Sequence, residues 1–210
     1  MTAGTPPLPA AAAELPAALA APPRLVAHLG LVHEVAVPVA DRCAGYGVPV
    51  DREAVLFGAA THDIGKTVHH EELSAPGSPH ERAGHELLLA HGVPERLARF
   101  ARTHGDWRAP GTTVEDLLVS LADKAWKNSR IRDLEDLLVG RLAAGSGREP
   151  WEVFLELDDL LTRIGEDAPR RLAVQASHPV GVPVRRPVGQ PGRPGPAVPQ
   201  PGGPAADGGS

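Results

Sequence analysis

Between Arg24 and about Gln175 the large apolar residues recur at steps of three and four, and no segment sustains a two-residue alternation. That periodicity admits helices and leaves no material for a half-buried sheet. In the first stretch, Arg24 to about Ala44, the residues Leu25, Leu29, Val32, Ala36 and Val39 share one stripe, and Pro38 is expected to kink the helix or end its regular part. A second helix is expected from Asp51, a candidate N-cap, through Val55, Leu56 and Ala59 to a break at Gly65. Ser78-Pro79-His80-Glu81 has the pattern of a capped start, with proline at the first helical position and glutamate completing a capping box; Gly92 stops that helix. Pro94 opens a short helix ending near His104. The stretch from Thr112 to Glu115 repeats the capping-box pattern and launches Asp116 to about Lys127. Ile131 to Leu142, Trp151 to Ile164 and Arg170 to Gln175 complete the set, with no internal repeat. The expected fold class is all-α.

With aromatics at 3% of 210 residues, the core has to be built from Leu, Val and Ala. Both ends differ from the middle. Residues 1–22 are Ala/Pro-rich and are expected to be flexible, residues 23–176 form the helical domain, and residues 177–210 form a Pro/Gly-rich tail expected to be disordered. A net charge of −5 with acids and bases interspersed argues against an extended nucleic-acid surface. The single cysteine, Cys43, excludes an intramolecular disulfide and a thiolate metal cluster. No run approaches the roughly 18 apolar residues of a membrane span, and the N-terminus makes a poor signal sequence. A cytoplasmic chain with no membrane partner is the expectation.

Nine of the ten histidines fall inside the helical region. His62-Asp63-Ile64-Gly65-Lys66 ends an apolar helix and offers one nitrogen and one oxygen ligand to a divalent cation. Successive residues on a helix diverge by about 100°, so both reach one ion only where the backbone turns. Lys66 then stands nearby as a point charge for an anion. Asp123 lies beside the buried stripe of its helix, where an unpaired carboxylate would cost several kcal/mol. His33 sits in the same kind of environment on the first helix, between Leu29 and Ala36. His28, five residues earlier, is read as structural or exposed, His69 and His70 as a solvated loop with cleft lining as the alternative, and His85 and His91 as residues of the capped helix, His85 not being a ligand.

The order His33, His62-Asp63, Asp123 resembles the HD superfamily of metal-dependent phosphohydrolases, over roughly Arg24 to Asp123 with the following Lys124 and Arg130. The resemblance implies a single HD-type helical bundle in which His33, His62, Asp63 and Asp123 bind a first metal. Binuclear members insert two further histidines, matched here by His80 and His104, with Asp63 bridging two ions. A mononuclear site with His80 and His104 facing substrate is the alternative. The implied cofactors are one or two divalent ions, Fe, Mn or another first-row metal. The implied partner is a small phosphorylated substrate such as a nucleotide. The Gly-Tyr-Pro signature of the diguanylate phosphodiesterase branch is missing, which argues against a cyclic dinucleotide.

The expected activity is hydrolysis of a phosphate ester or anhydride bond by metal-activated water. Asp63 and Lys66 are the expected catalytic pair, and Lys66, Trp107, Lys124 and Arg130 the substrate-binding set. Glu34 and Glu81 are candidate proton-transfer groups. The alternative is a non-catalytic regulatory module that binds metal and nucleotide.

Overall fold

The computed structural model describes residues 7–181, and within them every regular element is helical. Two short helices, α1 (Ala10–Ala13) and α2 (Leu15–Ala18), precede the long α3 (Pro23–Ala44) and α4 (Arg52–Thr61). Two 3-10 turns follow, Ile64–Thr67 and His70–Leu73. Then come α5 (Pro79–Ala90), α6 (Glu95–Ala98), α7 (Phe100–Thr103) and α8 (Val114–Ala125). The chain closes with α9 (Arg132–Ser146), α10 (Pro150–Glu166) and α11 (Ala168–Ala176).

α3 and α8 are the axis of the bundle. The stripe of α3 is buried along its length, against α4 on one side and α8 on another. α3 continues through Pro38 to Ala44 rather than ending there. In α8 the run from Asp116 to Asp123 is buried all round, as a helix enclosed by neighbours must be. α9 and α10 pack outside α8, and α11 folds back onto α3. A second apolar cluster, including Leu25, Leu29, Phe57, Ala60, Ile64 and Leu88, lies under the His62-Asp63 turn.

One helix start is as expected and two differ. Asp51 caps α4 as expected, its carboxylate accepting from the Ala54 N–H at 3.0 Å. The capping box of α8 uses Thr113 and Asp116, one residue later than Thr112 and Glu115. Ser78 precedes α5 without capping it through its side chain. Within the stretch expected to be flexible, α1 and α2 bury Ala12 and Leu15 in the cluster that holds Phe57. Residues 1–6 and 182–210, most of the expected tail, lie outside the described residues. Cys43 is fully buried, and burial pushes its thiol up to about 12, so it is a core residue and not a nucleophile. No described helix is long and apolar enough to cross a membrane.

Asp116 ties the start of α8 to α6–α7. Its carboxylate accepts from Arg99 Nε at 3.1 Å, Thr103 Oγ1 at 2.8 Å and the Thr113 N–H at 3.0 Å. Burial pushes this carboxyl up, but the Thr113 backbone, Arg99 and Thr103 outweigh it and hold it below its ordinary value. A carboxyl depressed in the folded state stabilises fully above the unfolded pKa of about 3.9 and loses that contribution as pH falls through the folded value. Asp116→Asn is therefore expected to cost about 1–3 kcal/mol at neutral pH. Urea unfolding of both proteins should show that gap narrowing as the buffer is taken below about pH 4.

Candidate metal centre

α4 ends at Thr61 and the chain tightens into the 3-10 turn at Ile64, with Asp63 between them at φ −99°, ψ 10°. This change of winding lets adjacent side chains converge. Gly65 serves it by close approach and not by an unusual backbone angle, since a Cβ there would overlap the carbonyl oxygen of His80 on α5. The His62-Asp63 turn thus lies directly on the first turn of α5.

Asp63 is 3% exposed and is surrounded by imidazoles from four segments. Its Oδ2 lies 3.1 Å from His28 Nε2 of α3 and 3.6 Å from His62 Nε2. Its Oδ1 lies 3.0 Å from His80 Nε2 of α5 and 3.4 Å from His104 Nε2, just past α7. Asp123 of α8 closes one side, its Oδ1 being 3.5 Å from His62 Nε2 and 3.7 Å from His28 Nε2. Burial pushes the Asp63 carboxyl up, yet His62, His104, His28 and His80 outweigh it and hold it well below the ordinary carboxylate range. Asp123 follows the same pattern: burial raises it, and His62 and Lys124 overcome both burial and repulsion from Asp63.

The remaining ring nitrogens test whether this arrangement fits a metal. His62 Nδ1 faces the Ala59 carbonyl at 3.0 Å, and His104 Nδ1 faces those of Phe100 and Ala101 at 3.2 and 3.1 Å. His80 Nδ1 faces the Glu72 carboxylate. Each Nδ1 is placed to donate, so that once a cation takes the place of the Nε2 proton, that nitrogen's lone pair can point at the centre. The Nε2 atoms of His28, His62 and His80 are buried with no aligned hydrogen-bond partner, although carboxylate oxygens crowd them. Buried nitrogens of this kind are costly as they stand and suit cation ligation. Two groups, His28–His62–Asp63 and Asp63–His80–His104, could each hold a metal ion, and they share Asp63. A nitrogen-and-carboxylate donor set fits a first-row divalent ion without selecting one.

Above this centre is a cavity of about 440 Å³. Lys66 Nζ is 2.6 Å from Asp63 Oδ2, Lys124 Nζ is 2.7 Å from Asp123 Oδ2, and both lysines line the cavity. Arg24, Lys127, Glu81 and Gln175 also line it. Arg24 is braced from behind, its Nε donating to the His178 carbonyl at 3.1 Å.

His62, Asp63, His80, His104 and Asp123 are therefore brought together, with Lys66 and Lys124 beside them. His33 is not. It lies five residues beyond His28 on α3, about 140° further round the axis, and borders a different cavity with Glu53, Phe57 and Arg96. It is 1% exposed, and burial followed by the charge of Arg52 lowers its pKa. The α3 histidine at the centre is His28, which sequence reasoning set aside. Trp107 is also corrected: it packs in the main core with the Arg108 guanidinium 4.1 Å above its ring. Arg130 is held away from the cavity by a two-pronged contact with Glu135 at 2.9 and 2.7 Å and by Asp158 at 2.7 Å. Glu34 pairs with Arg170 and does not line the cavity, whereas Glu81 does. Sequence reasoning also missed Glu72, Arg24 and Trp126, whose ring meets His28 edge-on at 5.0 Å.

Residues 23–125 match the family described as HD domain, a stretch that runs from the start of α3 to the end of α8 and contains every residue of the centre. Among curated proteins, a tRNA (cytidine(56)-2'-O)-methyltransferase of Picrophilus torridus is 27% identical over 129 residues, covering 54% of this chain and 35% of that protein. The chain thus spans about a third of that relative's length. No solved structure matches.

The contact between the His62-Asp63 turn and α5 can be probed at Gly65. Gly65→Ala would push a methyl into backbone that cannot swing aside. It is expected to lower stability by about 1–3 kcal/mol, read from the urea midpoint at unchanged m-value.

Proposed function

We propose, for a chain that belongs to the HD superfamily of metal-dependent phosphohydrolases through residues 23–125, that it hydrolyses a phosphate ester or anhydride bond in a nucleotide-like small molecule. The observation that carries this reading is one buried carboxylate, Asp63, shared between two histidine groups at the floor of a cavity that Arg24, Lys66, Lys124 and Lys127 also line. His28, His62, Asp63 and Asp123 would hold one divalent ion, and Asp63, His80 and His104 a second. Bound there, such ions supply positive charge against the phosphoryl oxygens and make water more acidic.

The protein's own groups divide the remaining work. Lys66 and Lys124 hold their ammonium groups against the two acidic residues and can turn the same charge toward a phosphoryl oxygen. Arg24 and Lys127 add positive charge to the same cavity, which suits a substrate with more than one anionic oxygen. Glu81, beside Gly105 at the wall, is the candidate to carry a proton to or from the leaving group. A volume of about 440 Å³ lies in the range of small-ligand sites and has room for a nucleotide-sized molecule.

A second reading, a metal- and nucleotide-binding regulatory module without turnover, draws support from the Picrophilus relative. Its name is that of a methyltransferase, and only about a third of it is shared, so the common stretch can serve a protein whose named chemistry is not hydrolysis.

Elemental analysis of the purified chain with His28→Ala, His104→Ala and His33→Ala, joined to a phosphate-release screen of nucleotides, separates these readings. The expected result is about two ions per chain in wild type and His33→Ala, about one in each of the other variants. Phosphate release should fall at least about 100-fold in His28→Ala. Metal uptake without release of phosphate from any nucleotide would favour the module, and no metal uptake at all would overturn both.

A further inference from the structure

Three histidines at the centre keep Nδ1 engaged, but they do so differently. His62 and His104 sit at helix ends and face carbonyls three or four residues back in their own helices. His80 is the second residue of α5, and the residues preceding it, Pro76 and Gly77, belong to no helix. A histidine in a first turn has no preceding helical carbonyl to fix its ring. Its backbone N–H is likewise one of the orphan donors of the helix start, and Ser78 does not cap it.

Glu72 meets both needs from the 3-10 turn His70–Leu73. Its side chain is 4% exposed; Oε1 accepts from the His80 backbone N–H at 3.3 Å, and Oε2 faces His80 Nδ1. The loop returns so tightly that a Cβ on Gly77 would stand 2.7 Å from the Glu72 carboxyl carbon. A buried carboxylate is expensive, and these two contacts are spent on a single residue.

We propose that Glu72 is the positioning residue of the second cation site: it fixes His80 as the Nδ1–H tautomer and aims Nε2 at Asp63. The proposal rests on the two-ion reading given above. A carboxylate is required because both of its oxygens must accept. The amide of a glutamine offers one acceptor, so either the His80 N–H loses its partner or the amide N–H meets Nδ1. The latter would favour protonation of Nε2 and end its use as a ligand.

The test is calorimetric titration of the full chain with Zn²⁺ alone, for wild type, Glu72→Gln, Gly77→Ala and His33→Ala. Imidazole ¹⁵N spectra of the Zn²⁺-loaded wild type accompany it. Glu72→Gln should bind the first ion as wild type does and the second about 10–100-fold more weakly. Gly77→Ala, which displaces the carboxylate without altering it, should show the same selective loss, and His33→Ala none. His80 in loaded wild type should carry its proton on Nδ1, a readout that holds even if a variant fails to fold. Equal loss at both ions, no loss at either, or an Nε2–H tautomer for His80 overturns the proposal. Wild type taking up a single ion overturns it together with the two-ion reading. Two ions in wild type and in Glu72→Gln, at unchanged affinity, overturns this proposal alone.

Discussion

A carboxylate placed where water cannot reach it must be neutralised from close by, and Asp63 sets that requirement for the whole molecule. It is 3% exposed and is met by imidazoles from α3, α4, α5 and the end of α7, with Asp123 of α8 alongside. No single helix can supply that many nitrogens to one point, because neighbours on a helix diverge by about 100°. The bundle therefore has to bring separate helix surfaces together at one end. The buried length of α8 and the close seat of the Gly65 turn on α5 are the packing that does so. Burial alone would push Asp63 up, and the histidines reverse it. Without an ion the histidines do so with protons on the nitrogens that face Asp63, and a cation bound there would take the place of those protons.

The surrounding shell decides what kind of site it is. Ring orientation is set by backbone carbonyls for His62 and His104 and by Glu72 for His80, so the nitrogens that face inward are the ones free to ligate. The lysines answer the excess of acid from the cavity side. The C-terminal helices lie outside the HD-matched stretch yet brace it: Arg171 donates to the Trp126 carbonyl at 2.7 Å, and Trp126 in turn lies against His28. The segment after α11 similarly holds Arg24 at the cavity rim.

Much of this was legible in the residues. Apolar spacing gave the helices, and the His62-Asp63 pair, Asp123, His80 and His104 were recognisable from their order along the chain. What failed was the choice between two histidines on α3. His28 is three residues after Leu25 and four before Val32, and His33 is four after Leu29 and three before Ala36, so both fall among buried positions. Periodicity says that each is buried and cannot say which face meets the Asp63 turn, since that depends on how α3 packs against α4 and α8. Trp107 and Arg130 misled for the related reason that an aromatic and a cation near a ligand in sequence can be consumed by the core or by acidic neighbours. Glu72 left no local signal, because its partner lies eight residues away across a loop.

We propose that Asp63 is shared by two cations, one on the His28 side and one on the His80 side. Anomalous diffraction from crystals of the chain loaded with Mn²⁺ tests it most directly, because it locates the ions without reference to activity. Two peaks should flank the Asp63 carboxylate, one beside His28, His62 and Asp123 and the other beside His80 and His104. A peak at His33, or no peak within ligand distance of Asp63, would contradict it.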